Sequence, residues 1–156
     1  MAAQPKPFEI IDATIEQIHA ELKAGRLTSQ ALVQTYLARI EAYDKNGPKI
    51  NSVITINPKA LQEAAALDKA YTRSGPVGPL HGIPVVLKNQ MDVAGIPTTL
   101  GSVVFKDNVP VRDSFVTEKL KKAGAIILAK VTLGELGGGD SFGSLYGASR
   151  NPYDLE

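Results

Sequence analysis

Two short apolar runs govern what this chain can become: "IPVVLK" (83–88) and "AIILAKV" (125–131), each entered directly from a glycine, Gly82 and Gly124. Runs of this length without polar alternation read as strands covered on both faces, as in a sheet with helices above and below it. Such strands also need neighbours along their edges, because an open edge exposes unpaired backbone groups. The two runs therefore call for an α/β layer fold.

Helical segments to cover them are legible. Thr14 and Gln17 form a capping-box pattern, and Ile15, Ile18 and Leu22 keep helical spacing until Gly25. Thr28 can cap a second helix whose face is Leu32, Val33, Tyr36, Leu37 and Ile40, ending at Gly47-Pro48. "NSVITI" (51–56) is β-branched and reads as a strand. Asn57-Pro58 offers a cap and first-turn proline to a third helix ending near Gly75. Asp113 is the expected cap of a fourth, "SFVTEKLKKA", which Gly124 stops. Residues 89–112 are rich in turn formers, and from Gly134 onward the chain is glycine-rich without periodicity. The organisation expected is one domain-like unit, with a helical lead-in over 1–75 and the sheet strands and glycine-rich loop over 76–156. Three early helices and one later helix are few for such strands, so the segment reads as the front of a larger domain.

Bulk properties remove several function classes. A formal net charge of +1 gives no electrostatic reason to expect nucleic acid. The absence of cysteine excludes a disulfide framework, a thiolate metal site and a cysteine nucleophile, and two histidines are too few for a histidine metal cluster. No window approaches the roughly 18 apolar residues of a membrane span, and the start lacks a signal-peptide pattern. A cytoplasmic protein without metal or cofactor is the expectation. No phosphate-loop, S-x-x-K, G-x-S-x-G or H-E-x-x-H motif occurs.

Lys88 is the open question. A lysine closing an apolar strand is either snorkelling to water or delivering an amine to a site. The second reading requires a dry amine, because burial disfavours the charged form and lets lysine act as a base. His81 reads as a loop hydrogen-bonder, Asp92 as a turn residue and Gly137-Gly138-Gly139 as an adaptable loop.

Longer segments carry a resemblance. "GPLHGIPVVLKNQMDVAGIPTTLGS" (78–102) resembles the amidase signature family, with its G-P-L-H-G-I-P-x-x-x-K core followed by T-T-x-G-S. "DSFVTEKLKKAGAIILAKVTLGEL" (113–136), "GSLYGASRNPYDLE" (143–156) and "GRLTSQALVQTYLARIEAYD" (25–44) are similar to further family segments, in the same order. The resemblance implies a mixed β-sheet core with helices on both faces. It also implies hydrolysis of a carboxylic amide by a Ser-Ser-Lys mechanism, in which Lys88 is the lysine and no metal takes part. Leu136, Gly137, Gly138, Gly139 and Asp140 would line the substrate channel. The family's serines and oxyanion donors lie in a G-G-S-S-G-G segment after N-P-Y-D, and no such segment occurs in 1–156. The expectation is thus an N-terminal portion that is inactive alone, and Ser141, Ser144 and Ser149 are not nucleophiles. The alternative is a non-catalytic module that associates, with itself or a relative, through exposed sheet edges. At position 89 this chain has Asn where many family members have Asp, which changes the charge beside Lys88.

Overall fold

The computed structural model describes residues 8–139 and 141–155. Helix α1 (Ile15–Lys23) begins at the expected capping box: Thr14 accepts from the Gln17 amide, and the Gln17 side chain accepts from the Thr14 amide. Helix α2 (Ser29–Arg39) is capped by Thr28. It does not run unbroken to Gly47 but loosens into a π-helical turn, Ile40–Lys45. That turn presents buried Asp44, which accepts from the Ser52 and Val53 amides and so steers the chain into strand β1 (Val53–Ile56).

Helix α3 (Ala60–Ser74) starts two residues later than Asn57-Pro58 suggests. Asn57 accepts from the Lys59 amide and donates to the Ile127 carbonyl, so it ties the helix entrance to the sheet. Strand β2 (Pro84–Lys88) follows the 75–82 loop. Helix α4 (Phe115–Lys122) is capped by Ser114 rather than Asp113. Asp113 instead accepts from the Ala94 amide and pairs with Lys121 at 2.7 Å. Strand β3 (Ile126–Val131) follows, then a short hairpin of β4 (Phe142–Gly143) with β5 (Gly147–Ala148).

The sheet is mixed, in the order β1-β3-β2, with β1 antiparallel and β2 parallel to β3. Its centre is β3, buried along nearly its whole length. Ile126 and Leu128 pack with Val33, Ala60 and Ala64 of α2 and α3 on one face, while Ile127 packs with Leu87, Val93, Ile96 and Leu120 on the other. A third cluster joins α1 and α2 to the β2 entrance through Ile18, Leu22, Leu32 and Ile83. Each fully buried Val, Leu or Ile side chain here contributes on the order of 2 kcal/mol relative to exposure, and the alanines less.

The expectation of full cover holds for β3 and fails for β2. Among the described residues β2 is an edge strand, and Val86 is 47% exposed. The physical reason is position: β3 has a strand on each side and helices across it, whereas β2 is flanked on one side only.

The two glycine-led motifs meet back to back. Leu80 and Gly82 donate to the carbonyls of Ala123 and Gly124, and Ile126 donates to Ile83. A Cβ on Gly124 would lie 2.7 Å from the His81 Cα, and Gly124 has φ +91°. Backbone can approach backbone this closely only without a side chain. Gly124→Ala is expected to cost more than about 2 kcal/mol. Gly139→Ala, at a site with open space around the Cβ, should stay within about 0.5 kcal/mol. Urea unfolding midpoints compare the two; equal losses would contradict this packing account.

Candidate active site

Strand β2 ends on Lys88 because the chain turns there: the Met91 amide bonds back to the Lys88 carbonyl, while the Asn89 amide still reaches Val131 of β3. Lys88 lies opposite Val131 in the parallel pair, and its Nζ donates to the Thr132 carbonyl at 3.0 Å. The side chain is nevertheless exposed. The dry amine that the catalytic reading requires is therefore not provided by the described residues themselves. What they provide is an amine leaning on the end of β3 at the uncovered edge of the sheet.

Beneath it the structure is closely held. Asn89 is fully buried, and its side-chain amide donates to the Thr99 hydroxyl. Lys130, inside the apolar run of β3, is also fully buried. Its Nζ donates to the Pro97 carbonyl at 3.0 Å and the Thr98 hydroxyl at 2.5 Å. A bulge between β2 and β3 sets this geometry: Val85 pairs with Ile127 but Val86 pairs with Ala129. Leu128 is the extra residue, so Lys130 falls on the Ile127 face, away from α2 and α3. Burial lowers the Lys130 pKa to about 8, against a smaller opposing pull from Asp92.

A second staple crosses the glycine-rich segment. Glu135 accepts from the hydroxyls of Ser102 (2.6 Å) and Ser144 (2.8 Å) and from the Ser144 amide. The hydroxyls of Ser102 and Ser144 hold its carboxyl below the usual range. The Leu136 amide donates to Leu100, and both leucines have left-handed backbones, at φ 56° and 53°. That conformation is strained in a non-glycine residue and persists only where its surroundings enforce it. Leu136 is 64% exposed, and Gly137, Gly138 and Gly139 are exposed beside it. Asp140 lies outside the described residues.

The remaining polar candidates have structural roles. Ser144 is taken up by Glu135 and by the Val103 amide, and Ser141 donates to the Ser149 carbonyl. His81 is buried: its Nδ1 accepts from the Val77 amide, its carbonyl receives His19, and its ring packs against Tyr71 with centroids 5.2 Å apart. Asp92 serves its turn through its carbonyl, which accepts from Ser114 and Thr117. Among the described residues no group of three or more His, Asp or Glu side chains gathers as a metal site. Within the same residues no helix is long and apolar enough to cross a membrane.

Lys130, Thr98, Thr99, Ser102 and Glu135 were not singled out individually from the sequence, and Asn89 was noted only for its missing charge, not for its bond to Thr99. The available signal was Lys130, a charged residue in the middle of an otherwise apolar buried strand. Its pKa of about 8 also fixes a pH dependence. The unfolded chain holds the proton up to about 10.4, so between those limits it binds more protons than the folded chain, and stability rises with pH. The gain is on the order of 3 kcal/mol from below pH 8 to above 10.4, present in the wild type and missing in Lys130→Met. Urea denaturation across that range measures it; identical pH profiles for the two proteins would contradict the assignment.

The comparisons with known proteins agree with this arrangement. Residues 31–156 match the Amidase family model. The chain is 41% identical over 151 residues to a glutamyl-tRNA(Gln) amidotransferase subunit of Geobacter metallireducens, a match covering 96% of this chain and 30% of that relative. It is 38% identical to the protein of the same name from Streptomyces coelicolor, covering 94% of this chain and 29% of that one. Native peptide amidase from Stenotrophomonas maltophilia superposes with a TM-score of 0.90 at 35% identity, over 96% of this chain and 32% of that structure. An amidase family protein from Bacillus anthracis gives 0.86 at 32% identity, over 93% and 30%. The chain thus spans about 30% of the length of the curated relatives it matches. With the family model covering most of the sequence, and the glycine-led turns, lysine-ended strand and buried central strand arranged as above, the chain belongs to the amidase signature family.

Proposed function

We propose that this chain is the lysine-bearing first part of an amide hydrolase, and that Lys88 is its base. The reading is carried by the fit to peptide amidase, TM-score 0.90 over 96% of the chain, together with a lysine that closes β2 at the sheet edge. The exposed amine has room for partners to be laid over it. In the assembled site Lys88 would accept a proton from a relay serine, which takes one from the nucleophilic serine. A hydroxyl is a poor nucleophile until a neighbouring base acts on it. The serine oxygen then bonds the amide carbon, and backbone N–H groups of a glycine-rich loop hold the developing oxyanion. As the C–N bond breaks, the proton passes to the leaving nitrogen, and water later releases the acid from the serine ester. Both serines and the oxyanion donors would come from sequence outside 1–156.

The substrate class is a carboxamide. The peptide amidase and the two amidotransferase relatives differ in name, but each is named for chemistry at an amide. Leu136 to Asp140 would border the substrate channel, with strained Leu136 fixing where the glycine strip leaves the sheet. A second reading, association without catalysis, draws on the open edge of β2 and on exposed apolar side chains, with Val111 95% and Tyr153 97% exposed. Size-exclusion chromatography of 1–156 distinguishes it: a discrete stable oligomer favours association as the role.

Purified 1–156 is expected to release no ammonia from peptide amides. Joined to the remaining two thirds of the Stenotrophomonas enzyme, it should do so, and Lys88→Ala should lower kcat by on the order of 10³-fold. A joined protein whose turnover is indifferent to Lys88→Ala would overturn the proposal.

A further inference from the structure

The buried amine of Lys130 is not used by the mechanism above, and its surroundings are unusual. Lys130 is the largest fully buried side chain among the described residues, yet its hydrogen bonds go to two neutral oxygens, the Pro97 carbonyl and the Thr98 hydroxyl. No ion pair is formed by Lys130 at this site among the described residues. An ammonium in such a place is retained against a desolvation cost, so an aliphatic side chain of similar volume would suit stability at least as well. What an aliphatic side chain could not do is grip the 97–99 turn.

That turn is bonded to the residue that follows Lys88. Thr99 takes the Asn89 side-chain amide on its hydroxyl, and Asn89 is the residue immediately after Lys88. The Asn89 amide is bonded to Val131, next to Lys130, and Lys88 itself donates to Thr132. Ser102, bonded through its amide to Thr99, hands the turn on to Glu135 and the glycine strip. Three consecutive residues of β3 and its extension, Lys130, Val131 and Thr132, thus hold respectively the 97–98 turn, the Asn89 backbone and the Lys88 amine.

We propose that Lys130 is a positioning residue: its Nζ clasps the 97–99 turn to β3, and the clasp, acting through Thr99 and Asn89, sets where the Lys88 amine stands. The clasp is a property of this chain alone; its consequence for catalysis rests on the amidase reading.

The test uses the 156-residue chain and no substrate. Lys130→Met removes the amine at nearly constant volume, and Thr98→Val removes a hydroxyl acceptor from the turn without touching a lysine. Leu67→Ala, on the α3 face of the sheet, serves as a control of lowered stability. NMR follows the Lys88 Cε–Hε signal and the exchange rates of the Thr99 and Ser102 amides. Lys130→Met and Thr98→Val should each shift the Lys88 signal and speed both amides at least about tenfold, a local opening rather than global unfolding. Leu67→Ala should leave the Lys88 signal in place. A Lys88 signal unmoved by Thr98→Val, or moved equally by Leu67→Ala, overturns the proposal; if Lys130→Met does not fold, Thr98→Val decides. Failure of the joined enzyme to release ammonia would count against the hydrolase reading and leave this result standing.

Discussion

The central strand β3 is the constraint on which the rest depends. It is hydrogen-bonded on both edges and covered on both faces, so its register is fixed from four directions. A strand buried on both sides cannot slip by one residue without sending an aliphatic face into polar surroundings. Everything of chemical interest is then hung on its far end. Val131 holds the Asn89 backbone, Thr132 holds the Lys88 amine, and Lys130 holds the 97–98 turn. The bulge at Leu128 is what puts a lysine rather than an alanine on the face of that turn.

The near end of the strand explains the glycines that mark the family. Gly78, Gly82 and Gly124 sit where the loop before β2 lies directly on the turn before β3, with backbone amides and carbonyls bonded across the contact. This contact fixes the two parallel strands at their starts.

Much of this was legible in the amino-acid order. The caps at Thr14 and Thr28 and the two apolar runs gave correct elements, because caps and periodicity are local signals. The cap of α4 at Ser114 was missed by one residue, since Asp113 had an equally good local claim and was taken instead by Lys121 and Ala94. The uneven cover of the two strands was not legible: "IPVVLK" and "AIILAKV" look alike, and only pairing order separates a central strand from an edge. The clasp was also hidden, because Lys130 and Thr98 are separated by 32 positions and meet only through the register of β3. The charge in an apolar run was the one visible trace.

In the proposed enzyme the Lys88 amine, open at a sheet edge among the described residues, is closed over when the rest of the fold is laid upon it. Site-resolved acylation of lysines by a water-soluble reagent, read by peptide mass spectrometry, measures this directly. Lys88 should label readily in 1–156, and in the protein joined to the remaining two thirds of peptide amidase its labelling should fall at least about tenfold, since a buried amine is withdrawn from reagent. Exposed Lys122 serves as the reference, at 77% side-chain exposure. A Lys88 that labels as fast in the joined protein as in the separate chain would contradict a dry catalytic base at this position.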